Sequence, residues 1–206
     1  MNVRLRFEKL GVMQFLSHLE VLKTWEQIFR REQIPMIYSE GFNPRPKMNF
    51  ALPLAVGIQA LHDYLEVEVE DGFDIDRFLT MDMPPGLKVT EAKVVEDSKA
   101  LMAFVSSADF LITGDLEALK EGLSRDELLF RKHTKKGERI KDAKPLIIDY
   151  KINPDYLWVH LKAGSVDNLK PTDLLSTLVA EPKDVFDYEI IRIDVYDETG
   201  RSLWLR

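Results

Sequence analysis

Two short stretches in the first fifty residues hold most of the side chains that could do chemistry. The first is Ser17-His18-Leu19-Glu20, where an imidazole directly follows a residue that can cap a helix. The second is the stretch 39–47, which combines hydroxyl, amide, aromatic and cationic side chains on a backbone containing glycine and proline. Imidazoles and cations beside exposed backbone amides are suited to binding phosphate, so we expect ligand contacts at these two places.

The first stretch predicts a helix start. The Ser17 hydroxyl can accept a hydrogen bond from the Glu20 amide, while the Glu20 carboxylate reaches back to the Ser17 amide. Three roles for His18 stay open. It could pack beside the cap near Leu22 and Trp25, contact a phosphate at the helix N-terminus, or act as a general acid or base with a partner that the sequence does not identify.

The second stretch predicts a shaped loop. Gly41 can adopt a positive φ, Asn43-Pro44 favours a turn, and Pro46 stiffens the exit. One interpretation is a rigid connection between two strands. The other is a phosphate or RNA site, because Arg45 offers a planar fork of donors and Phe42 could stack on a base. The candidate binding residues are His18, Ser39, Asn43, Arg45 and Lys47, with Phe42 as a possible RNA contact.

A basic run at residues 131–141 holds six cations and one acid. Such runs are typical of solvated, mobile loops, and the alternative is a flexible arm that contacts phosphates. On the second interpretation Arg131, Lys135 and Lys136 would add RNA contacts.

Composition excludes several classes of site. The chain of 206 residues has no cysteine, which removes disulfides, thiol nucleophiles and cysteine-held iron–sulfur clusters. The four histidines lie far apart, and Glu66, Glu68 and Glu70 read as the solvated face of a strand, so we expect no metal and no cofactor.

Charge is unevenly distributed along the chain. The net charge is −7, but residues 1–60 hold eight Lys or Arg against five Asp or Glu. The negative net charge argues against a general polyanion binder. The excess of positive charge in residues 1–60 still allows a local polyanion site in the first third of the chain. No apolar run approaches the roughly 20 residues that span a bilayer, and the N-terminus alternates like a strand instead of forming a signal peptide, so we expect no membrane contact and a cytoplasmic location.

Hydrophobic periodicity predicts the order strand, helix, strand, strand, helix, strand twice. The first set occupies residues 1–97 and the second residues 98–206, although no residue-level repeat links them. We therefore expect an α+β protein made of two tandem ferredoxin-like βαββαβ units with antiparallel sheets. The first unit would carry the site.

The motif residues also resemble a known family. They are FLSHLE at 15–20, RR at 30–31, YSEGFNPRPK at 38–47, FALPLAVG at 50–57 and DYLE at 63–66. Together they resemble a radical-SAM-linked bacterial domain family of unknown function, whose domain is about as long as this chain. The chain departs from the family pattern at Arg45, where histidine is common, and at Glu20, where aspartate is common; a cation at Arg45 would preserve a phosphate contact.

The resemblance implies a radical SAM enzyme, encoded nearby, as a partner. Such an enzyme needs cysteines to hold its cluster, so this chain does not perform that chemistry itself. We expect an accessory protein that binds RNA (tRNA or rRNA) or another phosphate-bearing substrate for the partner, more in keeping with a binding module than an enzyme.

Two alternatives stay open. The chain could be a metal-independent RNA-processing or RNA-modifying enzyme, with His18 as acid or base and Arg45 steadying a phosphorane-like charge. It could also be a scaffold whose loop docks the same partner protein.

Overall fold

The structure of the protein is a computed structural model that describes residues 1–96, 99–134, 137–164, 167–179 and 187–206. Its α-helices are α1 (His18–Arg31), α2 (Leu116–Leu123) and α3 (Pro171–Leu178). Its strands are β1 (Asn2–Lys9), β2 (Met48–Phe50), β3 (Ile58–Glu68), β4 (Leu87–Val95), β5 (Ser107–Thr113), β6 (Leu129–Thr134), β7 (Gly137–Asp142), β8 (Ile147–Ile152), β9 (Leu157–Lys162) and β10 (Glu189–Tyr196). None of the described helices is long and apolar enough to cross a membrane.

One eight-stranded sheet runs through both halves of the chain. Its order is β4-β1-β3-β10-β5-β9-β8, with β2 paired to β3. Strand β1 pairs with one edge of β3. The other edge of β3 is shared by two strands, because β2 pairs with its residues 65–67 and β10 with its residues 58–60. The β3–β10 pairing is parallel and the other pairings in this sheet are antiparallel. The predicted α+β class, with a mostly antiparallel sheet and few helices, is therefore confirmed.

Some predicted elements are shorter or of a different type. The second helix expected in residues 1–97 is a 3-10 helix, Ile75–Thr80, in which the Asp74 carboxylate accepts from the amide of Asp76 at 3.1 Å. The strand expected before the 39–47 loop is reduced to isolated bridges at Met36 and Tyr38. The predicted boundary between the two units, at residues 97 and 98, lies outside the described residues.

The first core lies between α1 and the β1–β3 part of the sheet. Helix α1 buries Val21, Trp25, Ile28 and Phe29, which recur at helical spacing and so share one face. The ring of Trp25 meets that of Phe7 at 5.1 Å in an edge-on arrangement. This packing fixes the start of α1, and with it His18, relative to the sheet.

The second core lies under α2 and α3, which cross closely at Gly122. A Cβ added to Gly122 would lie 2.5 Å from the carbonyl oxygen of Leu178 and 2.7 Å from its Cα. Because both contacts are to backbone, no side-chain rotation would relieve them. Glycine at this position is therefore required for helix packing.

We expect Gly122→Ala to lower the free energy of unfolding by about 1–3 kcal/mol, because the added methyl group overpacks the crossing. This is opposite in sign to the gain of about 1 kcal/mol that alanine usually brings within a helix. Urea unfolding followed by circular dichroism measures the change. The exposed neighbour variant Glu121→Ala should stay close to the parent, and a Gly122→Ala protein as stable as the parent would contradict this account of the crossing.

Candidate functional site

The start of α1 is held by the predicted capping box. The Ser17 amide donates to Glu20 Oε2 at 2.8 Å, and the Glu20 amide donates to Ser17 Oγ at 3.4 Å. Hydrogen bonds from Ser17 lower the pKa of the exposed Glu20 carboxyl. The capping-box prediction is confirmed, and it places His18 in the first turn of the helix.

The His18 ring is half-buried and packs against the sheet. It meets the ring of Phe50 edge-on, with centroids 5.3 Å apart and an interplanar angle of 84°. His18 also acts electrostatically on Asp63 of β3: burial raises the pKa of this carboxyl, and Arg192, Lys9 and His18 oppose that rise. His18 is therefore within electrostatic range of Asp63.

Hydrogen bonds brace the base of the 39–47 loop. The Ser39 amide donates to the Arg45 carbonyl at 2.9 Å, and the Arg45 amide donates to Ser39 Oγ at 3.1 Å. Below them the Lys47 amide donates to the Ile37 carbonyl at 2.8 Å. Ser39 thus has a structural role, and residues 40–44 project from a fixed base.

The tip of this loop presents an aromatic ring and a cation to solvent. Phe42 is fully exposed, and Asn43 and Arg45 are exposed beside it. The guanidinium of Arg45 has no hydrogen bond or ion pair within the described part of the chain, whereas Lys47 Nζ lies 2.8 Å from Glu68 Oε2. The positive charge of Arg45 is therefore available to a ligand, and that of Lys47 is largely compensated.

The structure separates His18 from the loop. A cleft of about 620 Å³ lies between the loop and α1, lined by Leu19, Leu22, Lys23, Glu26, Asn43, Pro44 and Arg45. Across the described residues, no hydrogen bond, ion pair or ring contact joins His18 to residues 39–47. Arg45 and Asn43 share the cleft, and His18 packs on Phe50 instead.

The basic run is more regular than a loop. Its described residues form an antiparallel hairpin in which β6 pairs with β7, and Phe130 of β6 is buried in the second core. Arg131 is exposed, with Nη1 3.9 Å from Glu138 Oε2. Lys135 and Lys136 lie outside the described residues.

Sequence reasoning did not identify a buried cluster of Lys9, Asp63 and Arg192. All three are nearly inaccessible, at 2%, 4% and 0% exposure. Arg192 Nη2 lies 2.6 Å from Asp63 Oδ1, Arg192 Nη1 donates to the Leu52 carbonyl at 2.7 Å, and Lys9 Nζ donates to the Ile58 carbonyl at 3.3 Å. The cluster therefore connects β1, β3 and β10.

Only one member of this cluster has a local signal. Lys9 continues the spacing of Val3, Leu5 and Phe7, so the alternation places a lysine where a core side chain is expected. Arg192 gives no such signal, since it lies between two isoleucines and its burial depends on β3. A cation at a core position of a strand is the pattern that could have pointed here.

The predicted solvated acidic face of β3 is wrong at Glu66. This residue is 9% exposed, and its Oε1 accepts from Arg4 Nη2 at 2.6 Å and from Arg4 Nε at 2.9 Å. Arg4 Nη1 also donates to the Leu203 carbonyl at 2.5 Å, so the segment after β10 covers this part of the sheet. Within the described ranges, no group of three or more His, Asp or Glu side chains is arranged to hold a metal ion.

Comparisons with known proteins support the coarser part of the resemblance, a bacterial domain family of unknown function. No curated protein is significantly similar in sequence. A chain in the crystal structure of a Cbf5-Nop10-Gar1 complex has a similar course, with 9% identity and a TM-score of 0.47 over 95% of this chain; the protein spans 50% of that chain's length. A family model described as an uncharacterized protein conserved in bacteria (DUF2344) matches residues 2–171. Since that match covers most of the sequence, the chain belongs to the DUF2344 family of bacterial proteins.

Proposed function

We propose that this protein is a binding module that presents RNA, or another phosphate-bearing substrate, to a radical SAM enzyme. The observation that carries the proposal is the 39–47 loop, where the exposed side chains of Phe42 and Arg45 project from a base braced by Ser39. An aromatic ring and a guanidinium on a fixed backbone are the groups that bind a base and its phosphate. The partner is inferred from the family resemblance and from the absence of cysteine in this chain.

The cleft beside the loop supports a chain-like ligand in preference to a small one. It is open, and its charged lining is mixed, with Lys23 and Arg45 against Glu26. A single strand could lie along it with a base on Phe42 and a phosphate at Arg45. We expect Lys47 to contribute less to RNA binding than Arg45, because its charge is already paired with Glu68.

We further propose that each half of the chain is a ferredoxin-like unit. Counting β2 on the second edge of β3, the first half has the order β4-β1-β3-β2, and the second half has the order β10-β5-β9-β8. If the four strands of each half are numbered in chain order, both read 4-1-3-2, the order of the βαββαβ fold. The β6–β7 hairpin would then be an insertion after the first helix of the second unit.

Binding of a fluorescent single-stranded RNA, measured by anisotropy at several salt concentrations, tests the proposal. We expect the affinity of the parent protein to fall with salt, and Arg45→Ala to reduce the slope by about 0.7, the value for one phosphate on a single strand. Phe42→Ala should weaken binding by about 1–3 kcal/mol through loss of stacking, with little change in slope.

Lys88→Ala is the matched control, because it removes one exposed positive charge from β4 and leaves the loop intact. A flat salt response, or equal effects of Lys88→Ala and Arg45→Ala, would refute a phosphate contact at the loop. Co-purification of a radical SAM protein that survives nuclease but is lost in Phe42→Ala would instead favour the scaffold alternative.

A further inference from the structure

A second cavity is bordered by residues 52–55, which follow the loop and β2 along the chain. It has a volume of about 250 Å³, room for roughly eight water molecules at about 30 Å³ each. Leu52, Pro53, Leu54 and Ala55 form one wall, and Phe110 and Pro171 contribute to the rest. The lining is mainly apolar, which suits the body of a small organic molecule.

The charged groups on this lining all have the same sign. Among the described residues that border the cavity, Lys170 and Arg192 are the charged ones, and no carboxylate accompanies them. Lys170 is exposed at the rim and Arg192 is fully buried. A ligand that enters the cavity therefore meets Lys170 at the rim and the guanidinium of Arg192, which pairs with Asp63 behind the lining, along a mainly apolar surface.

Arg192 has hydrogen-bonding capacity that the protein leaves unused. Its Nη1 donates to the Leu52 carbonyl and its Nη2 contacts Asp63, but its Nε–H has no acceptor within the described part of the chain. A guanidinium carries five N–H groups, and a buried donor without an acceptor is rare in native proteins. This Nε–H is a second observation, independent of the lining, and it favours a hydrogen-bond acceptor such as an anionic group as the ligand.

Arg192 lies among other charged groups behind the cavity. It shares Asp63 with a second buried basic side chain, Lys9, and burial lowers the pKa of that lysine. Asp194, which accepts a hydrogen bond from the Tyr64 hydroxyl, also acts on Arg192 electrostatically. An anion on the cavity side would give the buried guanidinium a further direct partner.

Helix α3 adds a favourable dipole. It begins at Pro171, on the cavity wall, and no side chain caps its N-terminus. The N-terminal end of a helix carries partial positive charge, which favours an anionic group placed near it. Lys170, directly before the helix, adds a full charge at the same rim.

We propose that this cavity binds a small molecule consisting of an apolar body and one anionic group, a carboxylate or a phosphate. The anionic group pairs with Arg192 and Lys170, and the apolar body packs on residues 52–55 and Phe110. This site is separate from the loop, so its ligand is a substrate or effector distinct from the RNA contact at Phe42.

Titration of the full chain with four probes, followed by calorimetry, tests the proposal. The probes are benzoate, phenyl phosphate, inorganic phosphate and benzyl alcohol. We expect benzoate or phenyl phosphate to bind, and the tighter of the two identifies the preferred anion. Inorganic phosphate lacks the apolar body and benzyl alcohol lacks the charge, so both should bind at least about tenfold more weakly.

Two variants locate the site without disturbing the buried ion pair. Ala55→Phe should fill the cavity and abolish binding, while Lys170→Ala should weaken it by up to about fivefold, the range for an exposed charge. Lys151→Ala, an exposed lysine on β8, is the matched control and should leave affinity unchanged. Ala55→Phe should also leave RNA binding unchanged, which separates this proposal from the proposed function.

Three results would overturn the proposal. One is equal affinity for benzyl alcohol and benzoate, and another is undiminished binding by Ala55→Phe. The third is no binding of either anionic probe at concentrations up to about 10 mM.

Discussion

Asp63→Asn is expected to lower the free energy of unfolding by about 3–5 kcal/mol, the cost of removing one partner from a buried ion pair. The substitution keeps the size of the side chain but leaves Lys9 and Arg192 as two buried cations with no carboxylate between them. Arg192 Nη2 lies 2.6 Å from Asp63 Oδ1, and this pairing opposes the rise that burial causes in the pKa of the carboxyl. Chemical unfolding at neutral pH measures the loss.

A second substitution tests whether charge is the cause. In the Asp63→Asn background, Lys9→Met removes one of the two buried cations that have lost their shared carboxylate, and it should recover part of the lost stability. Asp71→Asn is the control, because Asp71 also forms an ion pair, with the N-terminal ammonium at 2.8 Å, but is 93% exposed. Exposed pairs contribute about 0–1 kcal/mol. If Asp63→Asn behaved like Asp71→Asn, the cluster would not be the charged junction described above.

Trp25→Ala should cost about 3–5 kcal/mol, the range for removing a large aromatic side chain from a core. Trp25 is completely buried and packs between Phe7 and Phe29, with ring centroids at 5.1 and 5.3 Å. Because Phe7 in turn contacts Phe50, on which His18 packs, the cavity left by the indole should also loosen the His18 ring. Unfolding followed by far-ultraviolet circular dichroism gives the loss in stability.

Trp25→Phe separates packing from hydrogen bonding. The indole Nε1–H is buried and has no acceptor in the described part of the chain, so phenylalanine removes an unsatisfied donor as well as some buried area. We expect a net cost of about 1 kcal/mol, well below that of alanine. Trp158→Ala, at a half-exposed position on β9, should also cost less than Trp25→Ala. Equal losses for the alanine and phenylalanine variants at position 25 would show that the ring contacts contribute little.

Local sequence signals predicted the elements well where they are self-contained. The capping box of α1 depends on Ser17 and Glu20, which lie within one turn of each other. The strands around Leu65 and Val159 follow from alternation alone. These features need no knowledge of the rest of the chain.

The charged interior could not be predicted in the same way. Alternation assigns Arg4 and Glu66 to a solvated face, but both are buried because they pair across 62 positions and the segment around Leu203 covers them. Arg192 is buried because β10 joins the sheet beside β3, a pairing between residues 190–192 and residues 58–60. These residues are buried because segments distant in the sequence cover them. The alternation within a single strand gives no information about that cover.

The parallel pairing of β10 with β3 has a consequence for synthesis on the ribosome. Residues 58–60 emerge early, and their partners at 190–192 are made more than a hundred residues later. At a synthesis rate of about 5–20 residues per second, the paired residues of β10 are made on the order of 10 s after those of β3. Until then the nascent chain presents Ile58 and Ala60 on an open strand edge and holds Lys9 and Asp63 without their arginine. Completion of the sheet and pairing of Asp63 with Arg192 are therefore one late event, and until it occurs the open edge of β3 is exposed to pairing with other chains.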